Sequence, residues 1–398
     1  MRGGRWLGAA FCAASCASTP PPAPTGPAPP ALDLHLPDGQ PEPEQLLRLP
    51  ELWKQAAQRS LFKLELGPIE GAGNFDDIEG PLALGKTRNP YLAVEQTPDG
   101  PKLVERRPGE TARKAMEEAD KSFSGGKLEE AEAGYRKVIE LDPLYPKAYF
   151  YVAAVLKQRR DFEGADAWIE RGLRLSPKDA FGYAMRAEIL HQSGKDLIAR
   201  ETLARAFALD PYSAPALRLL EKLGGKRKPG VRPPILVKRA SRNELVARSG
   251  GGPGWRDYAI CRALLTYDHD VRAEFLQHES RTSTVVNADS IRGDRRVSAP
   301  STAAGVPKGA LSPLEETTCG FLATATYRAA RIAGGPEDEV LERWSKAFDA
   351  GLLREAVIYE TLACRRPELL QLLPDDVQTR VVEYTRIFVV PARAGSGP

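Results

Sequence analysis

Residues 139–143 read IELDP, 173–177 read LRLSP and 207–211 read FALDP. Their prolines, Pro143, Pro177 and Pro211, stand 34 residues apart and divide the chain into segments 112–145, 146–179 and 180–213. Each segment reads as two short amphipathic helices with matching slots: Ala119, Ala153 and Ala187, then Ala131, Ala165 and Ala199, with Tyr135, Ile169 or Leu203 four residues later. Alanine belongs where two helix axes approach closely, and the larger neighbour fills the groove beside it. Proline lacks an amide hydrogen and turns the preceding residue away from helical geometry, so it closes one helix pair and opens a turn. A unit of this length cannot bury its apolar faces alone and must stack on its neighbours.

This pattern resembles the tetratricopeptide repeat (TPR) family over residues 112–213, with Glu118 and Arg186 standing where the family carries leucine. Those two substitutions suggest a polar opening helix in repeat one and a looser middle in repeat three. Residues 214–224 read as the helix that solvates the end of such an array. The resemblance implies that the first helix of each repeat lines a concave groove. Its second, fifth, ninth and twelfth positions would contact a ligand. Here these are Arg113, Met116, Asp120 and Phe123; Lys147, Phe150, Ala154 and Lys157; Phe181, Ala184, Glu188 and His191. Phe150 and Phe181 are the expected apolar anchors, and Lys147 and Lys157 beside them favour an acidic or amphipathic ligand. The alternative is that the chain's own flanks fill the groove. Members of the family that bind chaperone tails hold a terminal carboxylate with a Lys/Asn/Asn/Lys/Arg clamp. The corresponding residues are Met116, Asp120, Tyr151, Phe181 and Met185, so that function is not expected.

The N-terminus reads as targeting text. Arg2 and Arg5 precede a short apolar run that ends in Ala13-Ala14-Ser15-Cys16. The run is too short to span a bilayer, for which about 20 apolar residues are needed. It resembles a bacterial lipoprotein signal (1–15), with Cys16 the acylated residue, although Ala13 stands where leucine is usual. A plain secretory signal or an uncleaved cytosolic start are the alternatives. Residues 16–47, opening CASTPPPAPTGPAPP, form a proline-rich tether of polyproline-II type. Alanine at position 17 favours the outer membrane by the same resemblance.

The 398-residue chain has room for two or three domains, and its formal charge of +3 points to neither nucleic acid nor an acidic substrate. Residues 48–110 read as a small helix and β-hairpin region, with TPDG as the turn. Residues 225–254 hold eight basic residues against Glu244 and read as a basic flexible linker, a solvated tether or a segment lying on anionic head groups. Residues 255–398 are helix-rich and match no family pattern, with a long loop at 280–312 and a helix opening near Pro336. The expected fold is therefore mainly α: a short TPR array followed by a separate helix-rich C-terminal domain, with a small N-terminal β element.

Asp268, His269, Asp270, His278 and Glu279 hold metal-capable atoms, but the histidine spacing does not share a helix face, and they read as a polar surface patch. Cys261, Cys319 and Cys364 lie in apolar helical text; in an oxidising compartment two can pair, leaving one over. No nucleophile elbow, zinc-binding helix, phosphate loop or dinucleotide motif is present, so no enzyme and no cofactor is expected. The expected function is a membrane-tethered, periplasm-facing adaptor lipoprotein that binds a protein or peptide partner in envelope assembly. The alternative is an enzyme or enzyme subunit with its site in 255–398.

Overall fold

The computed structural model of the chain describes residues 40–69, 92–97, 100–105, 107–225, 233–279, 311, 313–365 and 367–390. Cys16, the leader, the spacer as far as residue 39 and nearly all of the 280–312 loop lie outside these residues, as do the side chains of His278, Glu279 and Cys364.

The first described helix, α1 (Pro43–Arg59), starts inside the stretch read as tether, because Glu42 and Gln45 form a reciprocal capping box there. Leu46, Leu49, Trp53 and Ala56 give it one buried face at helical spacing. Three strands follow, β1 (Lys63–Pro68) and the antiparallel pair β2 (Leu92–Thr97) and β3 (Gly100–Glu105).

The repeats form α2 (Glu110–Ser124) with α3 (Leu128–Leu141), α4 (Pro146–Gln158) with α5 (Phe162–Leu175), and α6 (Ala180–Gln192) with α7 (Asp196–Leu209). Every slot alanine is fully or almost fully buried, as are Tyr135, Ile169 and Leu203. Within pair one the helices meet so closely at Ala119 that a Cβ on Gly134 would lie 2.7 Å from the alanine methyl. Asp161 and Asp179 cap α5 and α6 by accepting the amides of Gly164 and Gly182. Residues 110–209 thus form a stacked array of three helix pairs, the arrangement that the TPR resemblance implies, closed by α8 (Ala214–Lys222) against α6 and α7.

Arg186 does not loosen repeat three. Its guanidinium reaches back to α5, 2.8 Å from Asp166 and 2.5 Å from Glu170, tying the second pair to the third. The two carboxylates raise its pKa above the ordinary arginine value although burial opposes the shift.

The stretch read as a flexible linker contains a hairpin instead, β4 (Ile235–Ser241) and β5 (Glu244–Ser249). Ile235, Val237, Leu245 and Ala247 bury their side chains, which fixes the register. β5 also pairs in parallel with β1, Lys63 opposite Glu244 and Ser249 opposite Pro68, so the sheet runs β1-β5-β4. Beyond it are α9 (Pro253–Tyr267), α10 (His269–Glu279), α11 (Pro313–Ile332), α12 (Glu339–Asp349), α13 (Leu353–Arg365), a 3-10 turn (Pro367–Leu372), α14 (Asp375–Tyr384) and a π-helical turn (Thr385–Val389). Asp338 caps α12 and also accepts a 2.7 Å bond from the Trp255 indole. The Trp255, Tyr258 and Trp344 rings centre this core, and Cys261–Cys319 links α9 to α11.

Segments on both sides of the repeats build this C-terminal core, for α1 packs on α11 and α9 while β1 joins the sheet. The repeats are therefore an insertion in sequence between β1 and β4. The C-terminal end then returns to the array. Gln378 donates to the Ala208 carbonyl at 3.1 Å, and Thr385 to the Ala204 carbonyl at 2.9 Å. Lys178 donates to the Leu373 carbonyl at 2.8 Å and pairs with Asp375. Leu209 is consequently 4% exposed, whereas Leu175 and Leu141, at the same slot of the other repeats, are 37% and 43% exposed. Residues 373–390 cap the outer side of repeat three, a task that the sequence had pointed to α8 alone.

Candidate partner-binding groove

A row of rings crosses all three repeats, from the first helices α2, α4 and α6 with buried Tyr135 of α3 between the first two. Phe123 meets Tyr135 edge-on at 6.3 Å, Tyr135 stacks on Tyr151 at 5.2 Å, and Tyr151 meets Phe181 at 6.2 Å. Phe123, Tyr151 and Phe181 are half-buried, with one part of each ring in the core and one part facing out. Such rings suit an apolar anchor because they present a rigid surface that loses little freedom on binding.

Phe150 is not one of them. Sequence position places it in the groove, but it is 0% exposed and lies 6.1 Å beneath Phe181. The reason is local: Gly172 and Gly182 leave a notch that its ring fills, so that a Cβ on either glycine would lie 2.4 or 2.6 Å from it. Met116 is likewise buried rather than exposed, as part of the same core cluster. Ala154 and Ala184 are also buried, as alanine at a helix approach should be. Tyr151, one position after Phe150, takes the place that Phe150 was expected to hold.

The charges of the groove are largely matched within the chain. Lys157 lies 2.6 Å from Glu188, and Glu188 also faces Lys222 of α8 at 3.6 Å. Burial would raise the Glu188 pKa, but the bond from Lys157 and the charges of both lysines outweigh it and hold the carboxyl below its ordinary value. Arg113 pairs with Glu117 along α2 at 2.6 Å, and His191 lies 2.7 Å from Asp196. Asp120 is exposed and accepts the Tyr135 hydroxyl at 2.8 Å; burial and this bond raise the tyrosine's pKa. Lys147 is half-buried, and desolvation lowers its pKa against the pull of Asp179 and Asp120. Lys157 is thus committed to Glu188 and Lys147 is partly desolvated beside acids. The groove therefore presents aromatic surface beside charges that the chain largely pairs within itself.

Of the residues placed in the groove by sequence, Arg113, Asp120, Phe123, Lys147, Lys157, Phe181, Glu188 and His191 keep exposed or half-exposed side chains, and Met116 and Phe150 do not. Tyr151 and the bridging Lys222 were missed. Tyr151 sits one step off the four positions carried over from the family, and Lys222 belongs to a helix read only as a cap.

In the C-terminal unit the described ionisable groups pair closely with one another. Arg262 holds Glu316 at 2.6 Å, Arg272 holds Glu315 at 2.6 Å, Arg343 holds Glu360 at 2.6 Å, and Glu355 takes both Arg354 and Arg380. Asp268 accepts from Ser60 and from the backbone amides of Asp270 and Val271, which makes it a helix-start acceptor. No group of histidine, cysteine, aspartate and glutamate with metal-holding geometry occurs among the described residues.

No family profile and no curated protein matches this chain. Among solved structures, it is similar to the first TPR of Spaghetti (RPAP3) bound to the HSP90 peptide SRMEEVD, at 24% identity over 28% of this chain and 90% of that one, with a TM-score of 0.27. It is also similar to the Arabidopsis OM64 TPR domain, at 18% identity over 28% of this chain and 93% of that chain, TM-score 0.27. A third is the TPR2B domain of yeast Sti1 in complex with pHsp70, at 22% identity over 29% and 93%, again with a TM-score of 0.27.

Proposed function

We propose that this protein is an exported, membrane-tethered adaptor that acts by binding rather than catalysis, with the concave face of its repeats taking a segment of a partner protein in the cell envelope. The observation that carries this reading is the half-buried row Phe123–Tyr151–Phe181, which lies open on three successive first helices while the charges around it are matched within the chain. Apolar surface held in a charge-compensated groove favours an amphipathic segment anchored by large apolar side chains.

Tyr151→Ala with Phe181→Ala tests the groove. Crosslinking from membranes of the native organism should recover partners with the wild type and lose them with the double variant, while helical content is unchanged. Equal recovery by both proteins would remove the groove from the function.

Support for export comes from Ala13-Ala14-Ser15-Cys16 and from the Cys261–Cys319 disulfide, a bond that persists in oxidising compartments. Acylation at Cys16 would place the protein on the outer membrane, facing the periplasm. Cys16→Ser should move the protein from the membrane fraction to the soluble fraction of cells. If wild type and variant fractionate alike, the lipid anchor is absent.

A further inference from the structure

The turn between β4 and β5 meets the start of β1 at one end of the sheet, where the Lys63 amide donates to the Asn243 carbonyl at 2.9 Å. Leu61 stands there 81% exposed. Lys63, Arg239 and Arg242 lie at this end of the sheet and Lys238 one residue further along β4, all exposed. Arg239 lies 5.2 Å over the Phe62 ring and donates to the Ser241 and Arg242 carbonyls, which fixes the shape of the tip. The nearby acids do not cancel this charge: Glu65 is bound to Arg248 and Glu274 to Arg59, leaving half-buried Glu244 and exposed Asp270 against four cations.

We propose that this tip is a docking surface for the anionic head groups of a lipid bilayer, with Leu61 entering the interface and Lys63, Lys238 and Arg242 lying against phosphates. A bilayer offers anions above an apolar interior, and an aliphatic tip ringed by cations is the complement of that order. Lysine on an edge strand alone would be explained as a guard against strand pairing, but such a guard does not expose a leucine beside it. A nucleic-acid surface would match the cations and leave Leu61 without a role. The placement also fits the chain's course, for Leu61 follows α1 directly and α1 follows the proline-rich stretch. The proposal does not depend on acylation, and none of its residues belongs to the repeat groove.

The full chain carrying Cys16→Ser is sedimented with vesicles of phosphatidylcholine, alone or with about one-third phosphatidylglycerol, and the ratio of the two affinities is read. The ratio removes the contribution of the apolar leader, which is common to both vesicles. Preference for anionic vesicles is expected, weakening with salt. Lys63→Glu, Lys238→Glu and Arg242→Glu together should lower affinity for the anionic vesicles by about a hundredfold or more, at about fivefold for each cation lost. Leu61→Asp should weaken it separately. Circular dichroism and melting temperature establish that the variants are folded. Overturning results are an unchanged ratio in the folded charge variants, no preference by the parent chain, or loss of duplex DNA binding in those variants with vesicle binding intact.

Discussion

Phe150→Ala should lower the unfolding free energy by about 3–5 kcal/mol, the usual cost of emptying a buried phenylalanine site. The ring is wholly buried, and its neighbours cannot readily collapse into the space. Gly172 and Gly182, which shape the notch, have no side chains to swing inward. Phe181, 6.1 Å above, would lose the ring that supports it, so partner binding should weaken as a consequence of lost order. Phe181→Ala is the informative comparison, because its ring is half-exposed and its truncation should cost less stability. Thermal or urea unfolding of the two single variants decides the matter. A Phe150→Ala protein as stable as wild type would mean that the ring faces solvent and that the sequence-based anchor assignment was right.

The repeats were legible because their determinant is local and periodic. Proline at a fixed interval and alanine at each helix approach need no knowledge of distant parts of the chain. The depth of Phe150 was not legible from its groove position, yet its signal was present. Gly172 stands in the slot that Val138 and Ala206 fill in the other repeats, and Gly182 in the slot that Ala148 fills. Two glycines at facing slots mark room for a ring. Arg186 could also have been read in this way, since Asp166 and Glu170 are one turn apart on α5 and form a ready acceptor pair.

The sheet was hidden for a different reason. Basic residues and glycines dominate 225–254, and this composition outweighed the short alternation of Ile235 and Val237 with Leu236 and Lys238. The parallel partner β1 lies on the far side of the whole repeat array, beyond the reach of any local pattern. The same distance concealed the covering of Leu209, for nothing near residue 209 announces that Gln378 and Thr385 return to α7. The candidate groove was therefore readable in outline and not in its charge. Lys157 and Glu188 belong to adjacent repeats, and only their stacking turns two promising charges into a closed pair.

Arg262→Met should be about as damaging as the loss of Phe150, at about 3–5 kcal/mol, because it removes one partner of a buried ion pair and leaves the other. Arg262 is fully buried on α9, and its guanidinium lies 2.8 and 2.6 Å from the two oxygens of Glu316 on α11. The Tyr258 hydroxyl also donates to that carboxylate, so Glu316 ends in a site built to hold a negative charge. With the arginine gone, the Tyr258 hydroxyl still donates to a carboxylate that is 6% exposed and has lost its guanidinium. Its pKa should then rise, since burial disfavours the charged form. A raised folded pKa favours the protonated acid in the folded state, so the variant's deficit should be smallest below the ordinary carboxylate value and grow as pH rises. Adding Glu316→Gln should recover much of the loss by removing the stranded charge. The Cys261–Cys319 bond holds α9 to α11 beside this pair in every variant, which keeps the comparison within one fold. Melting temperatures across pH for the single and double variants give the test. A deficit independent of pH, or a double variant no better than the single, would show that Arg262 acts through packing and not as the counter-ion of Glu316.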